Sequence, residues 1–241
     1  MITLKESFEH RKEEIQKFLQ FMKFLERKKI MPEDDEDTFE EFFYGKEKIN
    51  FSYQELINVL KSNCALMLYN IIEFTVTGLV SSIYDEIKTE ELSYIDVSES
   101  IRQIWRKVMV KPMKDPNANH ITFVKCNEGI IENILDKKVI VIKARDTMPG
   151  GNLDGTVIQS LFEEHGINVD TYSHNFRPDI LKNIKDNRNN LAHGTVSFVE
   201  ALRDDGIRDL EDNYELVIAF MEELIVEVEQ YISEGGFMAR C

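Results

Sequence analysis

Long stretches of the chain repeat apolar residues every three or four positions, separated by short turn-rich breaks. Across residues 4–29, Phe8, Ile15, Phe18, Leu19, Met22 and Leu25 recur in this way with Glu and Lys between them, which predicts an amphipathic helix. The like-charge run Pro32-Glu-Asp-Asp-Glu-Asp37 that follows reads as a loop. The strongest stripe runs from Tyr53 to Lys88, where Leu56, Leu60, Cys64, Leu68, Ile72, Leu79 and Ile83 belong to a wide apolar band that no proline interrupts. A helix of about 35 residues exceeds the usual globular length, so the pattern predicts a spine spanning the whole of a helical bundle.

Ser98 to Lys111 reads as a shorter helix that ends before Pro112 and carries the single tryptophan, Trp105. Trp105 reads as core, with stacking on a nucleotide as the alternative. The period then changes. His120–Val124 and Val139–Lys143 are short and β-branched and predict two strands, with a helical turn over Glu128–Asp136 between them. Pro149-Gly150-Gly151 is a turn, and Asn152 or Asp154 can cap a helix through Phe162 that stops at Gly166. Neither a following Lys-Ser/Thr nor GxGxxG makes that turn a phosphate loop. Pro178 starts a helix through Ile180, Leu181, Ile184 and Leu191, which Gly194 stops. Ser197-Phe-Val-Glu200 fits a capping box for a short helix, and a last long helix runs from Asp209 to Ile232. The expected architecture is one mainly α domain over residues 1–241, an antiparallel helical bundle with a small αβ insertion at roughly residues 112–150.

Composition agrees with a globular chain: 43% hydrophobic, 30% charged, with only 11 Gly and 5 Pro to break helices. Cys64, Cys126 and Cys241 are far apart and show no CxxC spacing, so neither a disulfide framework nor a zinc site is indicated. The N-terminus turns charged at once, and no stretch approaches the ~20 apolar residues of a membrane span. A cytoplasmic protein with no membrane partner is therefore expected. The net charge of −15 argues against non-specific coating of nucleic acid. The charge is uneven, however: residues 101–145 hold ten Lys or Arg against four acids, a local +6 that leaves −21 on the rest. That basic island reads either as a phosphate-binding face or as a solvated surface whose charges pair with acidic neighbours.

Among the histidines, His10, His120, His165 and His174 read as surface or core residues, and none forms HxH or HExxH spacing. No GxSxG elbow, kinase set or Walker motif is present. His193 differs because of its company, Arg188-Asn189-Asn190-Leu191-Ala192-His193-Gly194. Arg grips phosphate as a bidentate fork, His moves protons near neutrality, and Asn orients either a ribose, a phosphate or the imidazole. Together these suit attack of an RNA 2′-hydroxyl on its own phosphodiester, which needs no metal, whereas DNA lacks that nucleophile. On an ideal helix Asn189 and His193 share a face, while Arg188 is rotated roughly 140° from His193. Either the helix loosens before Gly194, or two copies of the helix face each other and share a site.

Arg188-Asn189-Asn190-Leu191-Ala192-His193 resembles the R-x4-6-H motif of the HEPN superfamily, in a matching setting of helix end, Gly stop and Ser-Phe-x-Glu continuation. Tyr69-Asn70-Ile71-Ile72-Glu73 is similar to the Asn/Glu-bearing helix of the same group. The resemblance is to stand-alone bacterial HEPN proteins of toxin–antitoxin and anti-phage defence loci. It implies a helical bundle that dimerises so that two motif helices meet in one cleft. It further implies an endoribonuclease site of Arg188, His193 and Asn189, with Glu73 and Asn70 as cleft members. Lys185, Arg102, Arg106 and Lys107 are the expected RNA contacts. No cofactor or metal is expected. The implied partners are RNA (tRNA or mRNA), a second copy of the chain, and a cognate antitoxin or defence-system protein. Some HEPN toxins carry a modifiable tyrosine two residues after the histidine; Thr195 stands there, which argues against that regulation. The alternatives are a non-catalytic RNA- or nucleotide-binding HEPN module and a helical interaction protein.

Overall fold

The structure, a computed structural model, describes residues 2–29, 52–170 and 173–240. The acidic run Pro32–Asp37 lies outside the described residues. Within them the chain forms α1 (Ile2–Lys29), α2 (Tyr53–Thr89), α3 (Glu99–Met109), a 3₁₀ turn (Lys111–Lys114), α4 (His120–Leu135), α5 (Ala144–Thr147), α6 (Gly155–Glu164), α7 (Pro178–Ala192) and α8 (Ile207–Ser233).

Helix α2 is the spine the pattern predicted, and α1, α7 and α8 pack directly against it. Its start is fixed by a capping box: the Ser52 hydroxyl accepts from the Glu55 N–H, and the Glu55 carboxylate accepts from the Ser52 N–H. By length and composition alone α2 is apolar enough to cross a membrane. Its Leu68, Ile72, Val76, Leu79, Val80 and Ile83 are instead sealed in one continuous core with Phe8, Ile15 and Met22 of α1 and Val217, Met221 and Leu224 of α8.

Helices α1 and α8 run antiparallel, and their ion pairs record the register. Lys5 meets Glu229 at 2.6 Å, Lys12 meets Glu222 at 2.5 Å, and Lys23 meets Glu211. Each step up α1 is matched by an equal step down α8. Partly exposed pairs of this kind add little stability one by one, so their value lies in fixing alignment over the apolar seam.

The αβ insertion is not found. His120–Leu135 is a single helix, capped by the Asn119 side chain accepting from the Thr122 N–H. Residues 139–143 are extended but form no strand; Val139 makes only an isolated bridge with Ser93, beside a 2.8 Å bond from the Ile140 N–H to the Leu92 carbonyl. Once 120–124 is helical, the second β-branched run has no partner strand to complete a ladder. The helix expected after Ser197 is also only a turn, although the Ser197 hydroxyl does bond Glu200 at 2.8 Å. The described residues are therefore mainly helical, those of 112–150 included.

Candidate active site at the end of helix α7

Pro178 opens α7, and Leu181, Ile184 and Leu191 bury one face of it against the core. The helix stays regular to its end: the His193 N–H reaches the Asn189 carbonyl at 3.0 Å. Gly194 then takes φ +66, the Gly194 N–H bonds the Leu191 carbonyl at 3.2 Å, and the Thr195 N–H bonds the Asn190 carbonyl at 2.9 Å. This is a Schellman ending, which glycine permits without the strain a side chain would meet. The turn leaves His193 exposed, and its ring has no hydrogen-bond partner among the described residues. Helix α7 does not loosen between Arg188 and His193, so the two side chains leave it on different sides.

Arg188 turns to the other side, towards α2 and the loop after Pro149. Its guanidinium lies over the Tyr69 ring, with Cζ 4.8 Å from the centroid. Nη1 donates to the Asn189 Oδ1 at 2.9 Å and, at longer reach, to the Gly151 carbonyl at 3.4 Å. Asn189 in turn donates to the Asn152 Oδ1 at 3.2 Å, and the Tyr69 hydroxyl accepts from the Leu153 N–H at 3.3 Å. Among the described residues no carboxylate pairs with Arg188. The cation is therefore half-buried, positioned by a ring and two neutral oxygens, and not neutralised by an acid.

Burial pushes the Tyr69 hydroxyl pKa upward, helped by the charge of Glu73 one helical turn away and opposed by the Leu153 N–H and the cations Arg188 and Lys185. Glu73 is half-buried beside this group, whereas its neighbour Asn70 is exposed. Lys185 is committed to Asp154, Nζ to Oδ2 at 3.1 Å, and to Asp186 at the same distance. Those bonds raise the Lys185 pKa. Burial works against the Asp154 carboxylate, but the Val157 N–H and Lys185 outweigh it and hold its pKa below the usual range. Asp154 also caps α6, so one side chain ties α6 to α7 next to Arg188. The loop after His193 is tied to α2 by Lys61, which donates to the carbonyls of Arg203 and Asp205 at 3.2 and 2.7 Å, and by Ser62, which donates to the Phe198 carbonyl at 2.7 Å.

The structure brings Arg188, Asn189 and Glu73 around Tyr69 and keeps Lys185 beside them, but it does not bring in the basic island. Arg106 pairs with Glu99 at 2.6 Å and bonds the Tyr94 hydroxyl, Arg102 is bonded to the carbonyls of Tyr94 and Ile95, and Lys107 pairs with Glu164 at 3.0 Å. Glu164 ends α6 and Asp154 begins it, so Lys107 and Lys185 are separated along the axis by about 15 Å. Trp105 is core, 5.2 Å from the Tyr94 ring. The sequence marks Tyr69 only as the start of the Tyr69–Glu73 resemblance and Gly151 only as part of a turn; the signal available for Tyr69 was a hydroxyl-bearing ring one turn before Glu73.

A bundle spanned by one long central helix, with an Arg-x4-His motif ending a second helix against it, defines a HEPN-type domain. The family described as HEPN_MAE_28990-like HEPN matches residues 2–236, and the chain belongs to that family. No curated protein and no solved structure matches the chain.

Proposed function

We propose that the protein is a metal-independent endoribonuclease, acting in the cytoplasm as a toxin or anti-phage defence effector. The observation that carries this reading is Arg188: a half-buried guanidinium fixed over Tyr69 with no acidic partner among the described residues, on the same helix end as the exposed His193. A fixed, unneutralised guanidinium suits the charge that develops on a phosphodiester under attack.

In the reaction His193 removes the proton of an RNA 2′-hydroxyl, and that oxygen forms a bond to the adjacent phosphorus. The bond from phosphorus to the 5′-oxygen breaks, and that oxygen takes a proton from water, while His193 gives its own proton up to solvent. The products are a 2′,3′-cyclic phosphate and a 5′-hydroxyl. Arg188 grips the phosphate, and Asn189 holds the Arg188 fork and orients the sugar–phosphate. On a regular helix Arg188 and His193 point to different sides, so the productive pair comes from two copies of the chain, whose α7 helices line one cleft. Glu73 and Asn70 border it, and Lys185, bonded to Asp154, braces its wall.

Incubation of the purified chain with tRNA and mRNA in excess EDTA, beside Arg188→Ala and His193→Ala, tests this. Cleavage that survives EDTA, leaves cyclic phosphate ends and falls by about 10²-fold or more in both variants is the expected result. Retained binding with no cleavage in any preparation would replace it with the non-catalytic RNA-binding reading. Neither binding nor cleavage would leave a helical interaction protein.

A further inference from the structure

Every other described helix of ten residues or more buries several side chains; α4, 16 residues long, buries none. It is not a polar helix. One side, with Cys126, Gly129, Ile130, Asn133 and Ile134 half-buried, leans on the 3₁₀ turn and Met109. At about 100° per residue, Ile121, Val124, Ile131 and Leu135 gather on the opposite side. Their exposures are 61%, 38%, 55% and 75%. A helix apolar on two opposite faces and packed on one leaves the other as an exposed apolar stripe, the mark of an interaction site.

We infer that the outward stripe of α4 pairs antiparallel with α4 of a second copy of this chain, about a two-fold axis near Glu128. The stripe is its own complement under that rotation. Ile121 falls opposite Leu135 of the other copy, Val124 opposite Ile131, and Lys125 opposite Glu132. Within one chain Lys125 and Glu128 have no ion-pair partner among the described residues, and Glu132 pairs only with the exposed Lys138 at 3.4 Å. Across the axis each Lys125 lies within one turn of the other copy's Glu128 and Glu132. It thereby satisfies one acid and offsets the approach of the two Glu128 carboxylates. A partner of different sequence would not need both signs placed symmetrically about the stripe's centre.

The four apolar side chains expose on the order of 400 Å², the size of patch that is functional on single proteins. A standard interface buries roughly 800 Å² on each partner, so α4 supports a reversible contact rather than a permanent one. The contact is independent of the α7 site: it holds or fails whether or not the chain cleaves RNA. If α7 also dimerises, two different two-fold contacts produce either a closed tetramer or an open chain of dimers.

Sedimentation equilibrium of the full chain across the micromolar range tests this, with Ile131→Glu, Lys125→Glu and Glu132→Lys. All three sites are exposed, and unchanged melting temperatures confirm that the variants fold. The wild type is expected to show an average mass that rises with concentration to at least twice that of Ile131→Glu. Lys125→Glu and Glu132→Lys, each placing like charges across the axis, associate at least tenfold more weakly. An equimolar mixture of those two restores association, because positions 125 and 132 of the two partners then carry opposite charges again. An equal mass for wild type and Ile131→Glu at every concentration overturns the inference. So does a mixture that associates no better than its components.

Discussion

The guanidinium of Arg188 lies over the ring of Tyr69, 4.8 Å from its centroid, while the Tyr69 hydroxyl accepts the Leu153 N–H at 3.3 Å. One fully buried side chain of α2 thus holds both the site's cation and the loop that flanks it. A ring under a guanidinium contributes about 0.5–2 kcal/mol, enough to select one Arg conformation among several. Tyr69→Phe keeps the ring and removes the acceptor, so it is expected to cost about 1 kcal/mol of stability and to change cleavage only a few-fold. Tyr69→Leu removes the platform, and cleavage is expected to fall by about tenfold beyond any loss explained by unfolding. Thermal melts and turnover on RNA, taken well below the melting temperature, separate the two. Equal activity in Phe and Leu variants would remove the ring from the account.

Gly151 donates nothing from a side chain, yet it shapes the site. Its φ is +73, and a Cβ built there would sit 3.2 Å from Nη1 of Arg188. Gly151→Ala therefore adds strain of roughly 1–2 kcal/mol and pushes on the guanidinium at once. Gly150, with φ +48 and nothing within 4 Å of its added Cβ, bears the strain without the push. The two alanine variants are expected to melt alike, with RNA cleavage lowered further in Gly151→Ala. Matching activities would show that displacement of Arg188 at this point is harmless.

The buried His165 ties three helices together. Its Nδ1–H donates to the Leu161 carbonyl at 2.7 Å, Nε2 lies 2.7 Å from the Tyr84 hydroxyl, and its own carbonyl accepts from Tyr231 at 2.8 Å. Burial pushes its pKa down, against the Leu161 carbonyl and the charge of Glu164. The folded chain then holds fewer protons at this site than the unfolded chain, whose histidine titrates near 6.5. The stability that a neutral His165 provides is therefore complete above about pH 6.5 and is lost as the pH falls towards the lowered folded value, by at most about 1.4 kcal/mol per unit. Ordinary carboxylates titrate lower. Denaturant unfolding of wild type and His165→Gln between about pH 7 and 5.5 should show a flatter decline in the variant. Parallel declines would place the acid sensitivity elsewhere.

The helices were legible wherever a stripe had enough length to be sealed by a neighbour, which is why Tyr53–Lys88 was readable almost to the residue. Residues 120–124 and 139–143 misled because β-branched composition records a preference for a pleated surface, while a strand also needs a partner to bond. Asn119, placed to cap, decided the first segment, and the second was left with a single bridge. Arg188, Asn189 and His193 were singled out as candidates by type and spacing. Tyr69 and Gly151 were not, because their roles depend on where α2 and the 150–154 loop pass relative to α7. The basic island was ambiguous in sequence for the same reason: only packing shows Lys107 spent on Glu164 and Arg106 on Glu99.

Whether two copies share the site is open to a mixing experiment that needs no structure of the assembly. Arg188 faces Tyr69 while His193 lies exposed at the helix end, and α7 is regular between them. If the active pair is drawn from two chains, Arg188→Ala and His193→Ala, each inactive alone, complement one another. Random exchange makes half the dimers mixed, and each mixed dimer carries one intact Arg188–His193 pair of two. Activity should therefore return to about a quarter of the wild-type value. Exchange can be followed by a tag on one variant, so a silent mixture is not mistaken for failure to mix. Full exchange with no recovered cleavage would mean that both residues act from the same chain, and α7 would then have to unwind at its end when RNA binds.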